Sequence, residues 1–256
     1  MTADATIGII GAMESEVSRL TSLLKNSDTV DIYDLTFYTG TLGKRKAVIV
    51  KSGIGKVNAA RCAQLLIDIF TPDAIINTGI AGGTDSSLSV GDIVIGTGLL
   101  QHDFDVTAFG HAKGYLCTGN EHDRPTVFRA DEKLADALES AAAERFPERR
   151  VKRGIIATGD LFVADSGKKR ELWELFGASA AEMEGAAIAQ TAFFAGIPFA
   201  VLRVVSDQAD GKAARSFEEF EEETAKLSSD VMESLLNNLI IYRDKLNNSG
   251  FHAKKA

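Results

Sequence analysis

Short runs of β-prone residues recur along this chain, and several are apolar at nearly every position instead of at alternate ones. The clearest are residues 6–11, 45–51, 74–77, 92–96, 153–157 and 199–205. A strand apolar on both faces must be covered on both faces, which places it inside a sheet flanked by helices. The intervening stretches carry helical spacing: 14–24, 57–70, 131–146 and 185–194. In 57–70, Ala60, Cys62, Ala63, Leu66, Ile67 and Phe70 fall near one face. A last helix is expected to open at Ser216, where Glu219 three residues on completes a capping box. Its pattern runs to about residue 246, with a possible break at 227–230. Strands alternating with helices predict an α/β fold with a mostly parallel sheet.

No internal repeat, low-complexity tract or linker-like shift divides the 256 residues, and there are four prolines. A single domain over 1–256 is expected, with 111–126 a long polar loop and 247–256 a flexible tail. The 28 basic and 36 acidic residues leave a net charge of −8, which repels phosphate and argues against nucleic acid or anionic membrane as a partner. No apolar run approaches the roughly 18 residues of a spanning helix, and the first residues lack the pattern of a signal peptide. A cytoplasmic protein is expected. Two cysteines, Cys62 and Cys117, are too few for a disulfide scaffold or a four-ligand zinc site.

The glycine-rich turns do not match a nucleotide fingerprint. Residues 7–11 lack G-x-G-x-x-G spacing, Asn58 stands where the turn at Gly53 and Gly55 would need its third glycine, and no P-loop is present. Tight turns explain the glycines taken singly. The run 79–83 (GIAGG) differs because it follows an apolar strand, at the edge where open α/β sheets bind ligands, and would let a flat molecule approach the backbone.

Carboxylates at strand ends carry more. Glu16 follows the first strand, Glu182 and Glu184 lie between a short strand and a helix, and Asp207 ends a long apolar strand that also carries Arg203. Any one of them is explained as a first-turn acid favoured by the helix dipole. Parallel strands, however, bring their C-terminal ends to one edge. Several carboxylates gathered there with one arginine suggest acid–base chemistry without a metal, such as glycosyl transfer through a cationic transition state. His102, Asp103 and Asp105 could ligate a metal, but no second histidine is spaced for zinc, and a loop with local side-chain-to-backbone bonds is the alternative.

Eight segments in order, IIGAMESEV (9–17), KSGIGKVNAA (51–60), NTGIAGG (77–83), VGDIVI (90–95), HDFDVTAFG (102–110), TGDLFV (158–163), EMEGAAIA (182–189) and RVVSDQAD (203–210), closely resemble the 5′-methylthioadenosine/S-adenosylhomocysteine nucleosidases of the purine nucleoside phosphorylase superfamily. The match covers nearly the whole chain. The resemblance implies a mixed β-sheet surrounded by α-helices, a homodimer, and cofactor-free, metal-free hydrolysis of an adenine N-glycosidic bond in nucleoside thioethers. By the same resemblance, Glu16 activates water with Arg203 near it, and Glu184 binds the ribose hydroxyls over Met183, with Glu182 nearby. Asp207, supported by Ser206, is the acid at adenine N7. Phe162 stacks on adenine and the Val163 backbone reads its edge. Ile54, Ala81, Gly82 and Phe217 are carried over as substrate contacts. Val106 and Phe109 line the partner's 5′-alkylthio pocket across a two-fold interface.

Two features depart from the family pattern: Ile80 stands where many members have serine, and the stretch after residue 110 is longer. Three other readings stay open. A phosphorolytic relative would need a cationic phosphate cradle, yet NTGIAGG has no arginine and Glu16 would repel phosphate. A nucleosidase of other preference, such as a futalosine-type hydrolase, and a non-enzymatic nucleoside-binding protein are the remaining two.

Overall fold

In the computed structural model the described residues are 5–116 and 123–239. Cys117, part of the expected 111–126 loop and the expected tail lie outside them. Strand β1 (Thr6–Gly11) leads into helix α1 (Glu14–Ser22). Strands β2 (Lys25–Ile32), β3 (Leu35–Leu42) and β4 (Arg45–Lys51) follow, then α2 (Lys56–Phe70). Next come β5 (Ala74–Gly83), β6 (Ile93–Gln101), the two-residue β7 (Phe128–Arg129), α3 (Glu132–Arg145) and β8 (Val151–Thr158). The described chain ends with α4 (Ser166–Phe176), β9 (Ala178–Glu182), α5 (Gly185–Ala195), β10 (Phe199–Asp207) and α6 (Ala213–Asn238).

The sheet is mixed, as the family resemblance implies and contrary to the mostly parallel sheet expected from alternation. Parallel pairings join β1 to β4 and β5, β5 to β10, and β8 to β6 and β9. Antiparallel pairings join β10 to β6, β5 to β9, β6 to β7, and the β2–β3–β4 meander. Alternation does not reveal where β10 turns back against β6. Because β5 pairs with both β9 and β10, the order β10–β6–β8–β9–β5 closes on itself, with β1–β4–β3–β2 as an open wing. β5 is shared by position: residues 74–77 pair with β1, and Gly82 and Gly83 pair with β9.

Both faces are covered. Val17 and Leu20 of α1, Leu134 and Leu138 of α3, and Val231 and Leu235 of α6 pack with Ile9, Ile49 and Ile76 on one side. On the other, Cys62, Ala63 and Leu66 of α2 and Ala186, Ile188 and Ala189 of α5 pack with Ile10, Val48 and Val201. Burying such side chains contributes roughly 1.5–3 kcal/mol each.

Other departures have physical causes. The β2–β3 hairpin escapes the apolar search because β2 (KNSDTVDI) is exposed along almost its whole length. α4 also escapes it: its central turns, KKRELWEL, are mostly polar and bury little beyond Leu172 and Phe176. The last helix begins at Ala213, with Lys212 as N-cap, and not at Ser216. Asp210 starts the turn by accepting from Lys212 N at 2.8 Å and, through its carbonyl, from Ala213 N at 2.9 Å. Ser216 is therefore inside the helix, and its hydroxyl donates to the Ser206 carbonyl. The helix is unbroken through 227–230, where Ser228 bonds Thr78 at 2.6 Å and Asp230 accepts from Arg19 at 2.7 Å.

Candidate active site

At the C-terminal ends of β1, β5, β9 and β10 lies an open cavity of about 100 Å³, at the sheet edge where α/β folds bind small molecules. Three acidic segments enter it. Glu16 comes from the first turn of α1, Glu182 from the end of β9, Glu184 from the link between β9 and α5, and Ser206 and Asp207 from the end of β10. Ile80, Ala81 and Gly82 of β5 form a wall beside Met183, and Ile54, Phe162 and Phe217 lie on the remaining sides. No lysine or arginine is among the described residues lining the cavity.

Each carboxylate is held differently. Glu16 is 4% exposed and accepts from Ala12 N at 2.6 Å, Met13 N at 3.0 Å and Ile80 N at 3.0 Å. Gly79 makes that fit possible, since a Cβ there would collide with the Glu16 carboxylate. Burial pushes the Glu16 pKa up, although the Arg203 charge and the three amides work the other way. Asp207 accepts from Ala209 N at 2.7 Å and from Ser206 Oγ at 2.9 Å, and burial raises its pKa too. Glu184 accepts from Gly55 N at 2.8 Å, while burial and the neighbouring Glu182 charge push it up to about 8.

Glu182 has a separate task. It accepts from Arg203 at 2.5 Å, from Glu184 N at 3.1 Å and from Gly185 N at 2.7 Å, and also from Thr158 Oγ1. Arg203 itself is buried behind the cavity wall, where it also donates to Asn77 Oδ1. Burial works against its charge, but Glu182 and Glu16 outweigh that and hold its pKa above the usual value. Arg203 therefore reaches Glu16 through its field and not through a direct bond. Buried groups with opposed pulls of this kind keep one carboxyl neutral and another charged in the same cleft.

Phe162 lies in the loop between β8 and α4, 42% exposed, with its ring edge-on to Phe217 at 5.7 Å. Of the residues singled out in the sequence, four do not line the cavity: Val163, Arg203, Val106 and Phe109. The Val163 side chain packs into a cluster with Leu172 and Phe176. Phe109 stands on a single turn of 3-10 helix, Thr107–Phe109, and is 81% exposed. The metal reading of the 102–105 segment does not find a shared centre. Asp103 accepts from Lys56, Asp105 accepts from Thr107 N at 2.9 Å, and His102 is buried against Gly159. Among the described residues no group of three or more His, Cys, Asp or Glu side chains is gathered for a metal.

Sequence reasoning missed Thr158 and Gly55 as supports of the carboxylates and Asn77 as a support of Arg203. A polar residue closing each of the apolar runs 74–77 and 153–157 was the available signal for Asn77 and Thr158.

Compared with known proteins, residues 6–240 match the model of the Phosphorylase superfamily. A 5′-methylthioadenosine/S-adenosylhomocysteine nucleosidase of Exiguobacterium is 46% identical over 87% of this chain and 93% of its own length. This chain belongs to that nucleosidase family. Among solved structures, the nucleosidase of Neisseria meningitidis in complex with methylthio-immucillin-A superposes with a TM-score of 0.85 at 41% identity, covering 91% of this chain and 99% of that one. A futalosine hydrolase mutant of Helicobacter pylori reaches the same TM-score at 30% identity, over 92% of this chain and 100% of that one. The nucleosidase-family fold expected from the eight segments is thus the fold observed, and six of those segments, all but 90–95 and 102–110, bring residues to the cavity from elements far apart in the chain.

Proposed function

We propose that this chain hydrolyses the N-glycosidic bond of 5′-methylthioadenosine and S-adenosylhomocysteine, releasing adenine and a 5-thio-ribose, as a cytoplasmic homodimer. The observation that carries the reading is the set of buried carboxylates around a cavity with no lysine or arginine among the described residues that line it. A phosphorylase would have to desolvate a phosphate dianion beside Glu16, and the nearby Arg203 is already engaged by Glu182 and Asn77.

Adenine leaves poorly as an anion. Asp207, its pKa raised by burial, donates a proton to N7 as the glycosidic bond lengthens. Positive charge then grows on the ribosyl ring; a cation beside Glu184 favours the ionised form of that carboxyl, which stabilises the transition state more than the ground state. Glu16, held by three amides and with its pKa raised by burial, takes the proton of the attacking water. Phe162 and Phe217 supply apolar walls for the flat base. Met183 and Ile80 flank the sugar, and the Ile80 side chain offers the water no hydroxyl.

The dimer rests on a second set of observations. Val57 and Phe194 border one surface groove and, like Phe109 and Ile54, are each more than half exposed; apolar side chains gathered in a groove support a protein partner. Phe109 from one protomer completing the thioether pocket of the other makes the contact isologous, with two sites per dimer.

Chromatography of products from a panel of 5′-substituted adenosines and futalosine, with and without phosphate, tests the reading. Free adenine from the two thioethers at a rate indifferent to phosphate is expected. A ribose 1-phosphate product, or release confined to futalosine, overturns it.

A further inference from the structure

Lys56, Asp103 and Asp160 have no part in the chemistry above, yet they close a ring beside the cavity. The Lys56 ammonium donates to Asp103 Oδ1 at 2.6 Å and to Gln101 Oε1 at 3.1 Å. The other oxygen of Asp103 accepts from Asp160 N at 2.9 Å. Asp160 Oδ1 accepts in turn from Lys56 N at 2.8 Å. The segment after β6, the loop after β8 and the first turn of α2 are thereby tied to one another.

One residue before Lys56, the Gly55 amide donates to Glu184 Oε1 at 2.8 Å. Consecutive amides at the start of α2 thus hold two carboxylates, Asp160 outside the cavity and Glu184 inside it. The turn that presents them runs through Gly53 at φ +82° and Gly55 at φ +96°. Glycines at positive φ have little conformational preference of their own, so such a turn needs an external support. A Cβ on Gly55 would stand 3.1 Å from Asp160 Oδ1, so the carboxylate lies directly over the turn.

We propose that Asp160 is a positioning residue for the reaction: it fixes the turn at 53–56 so that the Gly55 amide stays aimed at Glu184, and it couples that turn to the loop carrying Phe162. The inference rests on Glu184 acting at the ribosyl centre. Glu184 is faced by Glu182 from the end of β9, by Arg203 from β10 and by Glu16 from α1, in addition to the Gly55 amide. Freeing the amide removes one stabiliser of the charged carboxylate and leaves burial and the Glu182 charge to act. The Glu184 titration should then move to higher pH.

Asp160→Ala, Asp160→Asn and Lys56→Met test this. In Asp160→Ala the Glu184 titration, followed by carboxyl ¹³C resonances of labelled glutamate and assigned with Glu184→Gln, should rise by about one pH unit. With 5′-methylthioadenosine, kcat/KM at pH 7 should fall about tenfold, with its ascending limb displaced in the same direction. Asp160→Asn keeps an oxygen for Lys56 N and should restore most of both. Lys56→Met, which retains the backbone amide, should show a smaller shift of the same sign and carries the test if the alanine variant does not fold. An unmoved Glu184 titration, or an asparagine variant as impaired as alanine, overturns the proposal. The resonance measurement needs no turnover, so a wild-type chain that released no adenine would count against the proposed hydrolysis and leave the role of Asp160 still decided by the titration.

Discussion

Arg203 Nη2 lies 2.5 Å from Glu182 Oε2, and the two side chains are 2% and 3% exposed. With so little exposure, each charge depends on the other, on Asn77 and on the amides at the start of α5. Together they form the floor against which Glu16 and Glu184 are set.

Removing one partner strands the other. Arg203→Leu should destabilise the fold by about 3–5 kcal/mol, as expected for a buried carboxylate left without its cation. Urea unfolding measures this, and the double variant Arg203→Leu/Glu182→Gln should recover part of the loss. A single variant as stable as wild type would show that the pair contributes little.

Asp207→Asn should lower kcat by roughly 10²–10⁴-fold, because an amide cannot deliver the proton to N7, and Glu16→Gln should do the same by leaving water unactivated. Adenine release under saturating substrate is the measurement. A variant keeping near-wild-type kcat would place that role on another group.

The raised pKa of Glu184 makes stability depend on pH. Its carboxyl titrates near 4.5 when unperturbed and at about 8 in the folded protein. The folded state therefore holds a proton that the unfolded chain releases, and this contribution is complete below about pH 4.5 and lost as pH rises through about 8. The Tm of the unliganded protein should decline across that window, and Glu184→Gln should flatten the decline. Equal slopes in the two proteins would rule out Glu184 as the group responsible.

Phe109→Ala should raise KM for the thioether substrates more than it lowers kcat, since contacts to the 5′ tail are lost equally in ground and transition states. Light scattering of the wild-type protein should give a mass near twice 27.4 kDa. Full activity in a monomer at micromolar concentration would refute the shared pocket.

Periodicity and residue type alone were enough to place the strands around Ile9, Ile49, Ile76 and Val201, and the helices carrying Leu66 and Ile188. Those side chains are committed by local spacing and by the need to leave water. The carboxylates at 16, 184 and 207 were legible for a related reason: a charged residue at the end of an apolar strand is conspicuous. Their convergence depended on tertiary structure. Only the closure of β10 onto both β5 and β6 brings Asp207 to the cavity that Glu16 and Glu184 share, and sheet closure leaves no periodic mark. The β2–β3 hairpin was hidden because an exposed strand has no apolar pattern to read. The start of α6 was misplaced because a turn at Asp210 acts before the capping box at Ser216 can. Most of all, the charge states of Glu16 and Glu184 were decided by the fold: both are buried, and the Arg203 field reaches Glu16 and the Gly55 amide reaches Glu184 across more than a hundred positions of the chain.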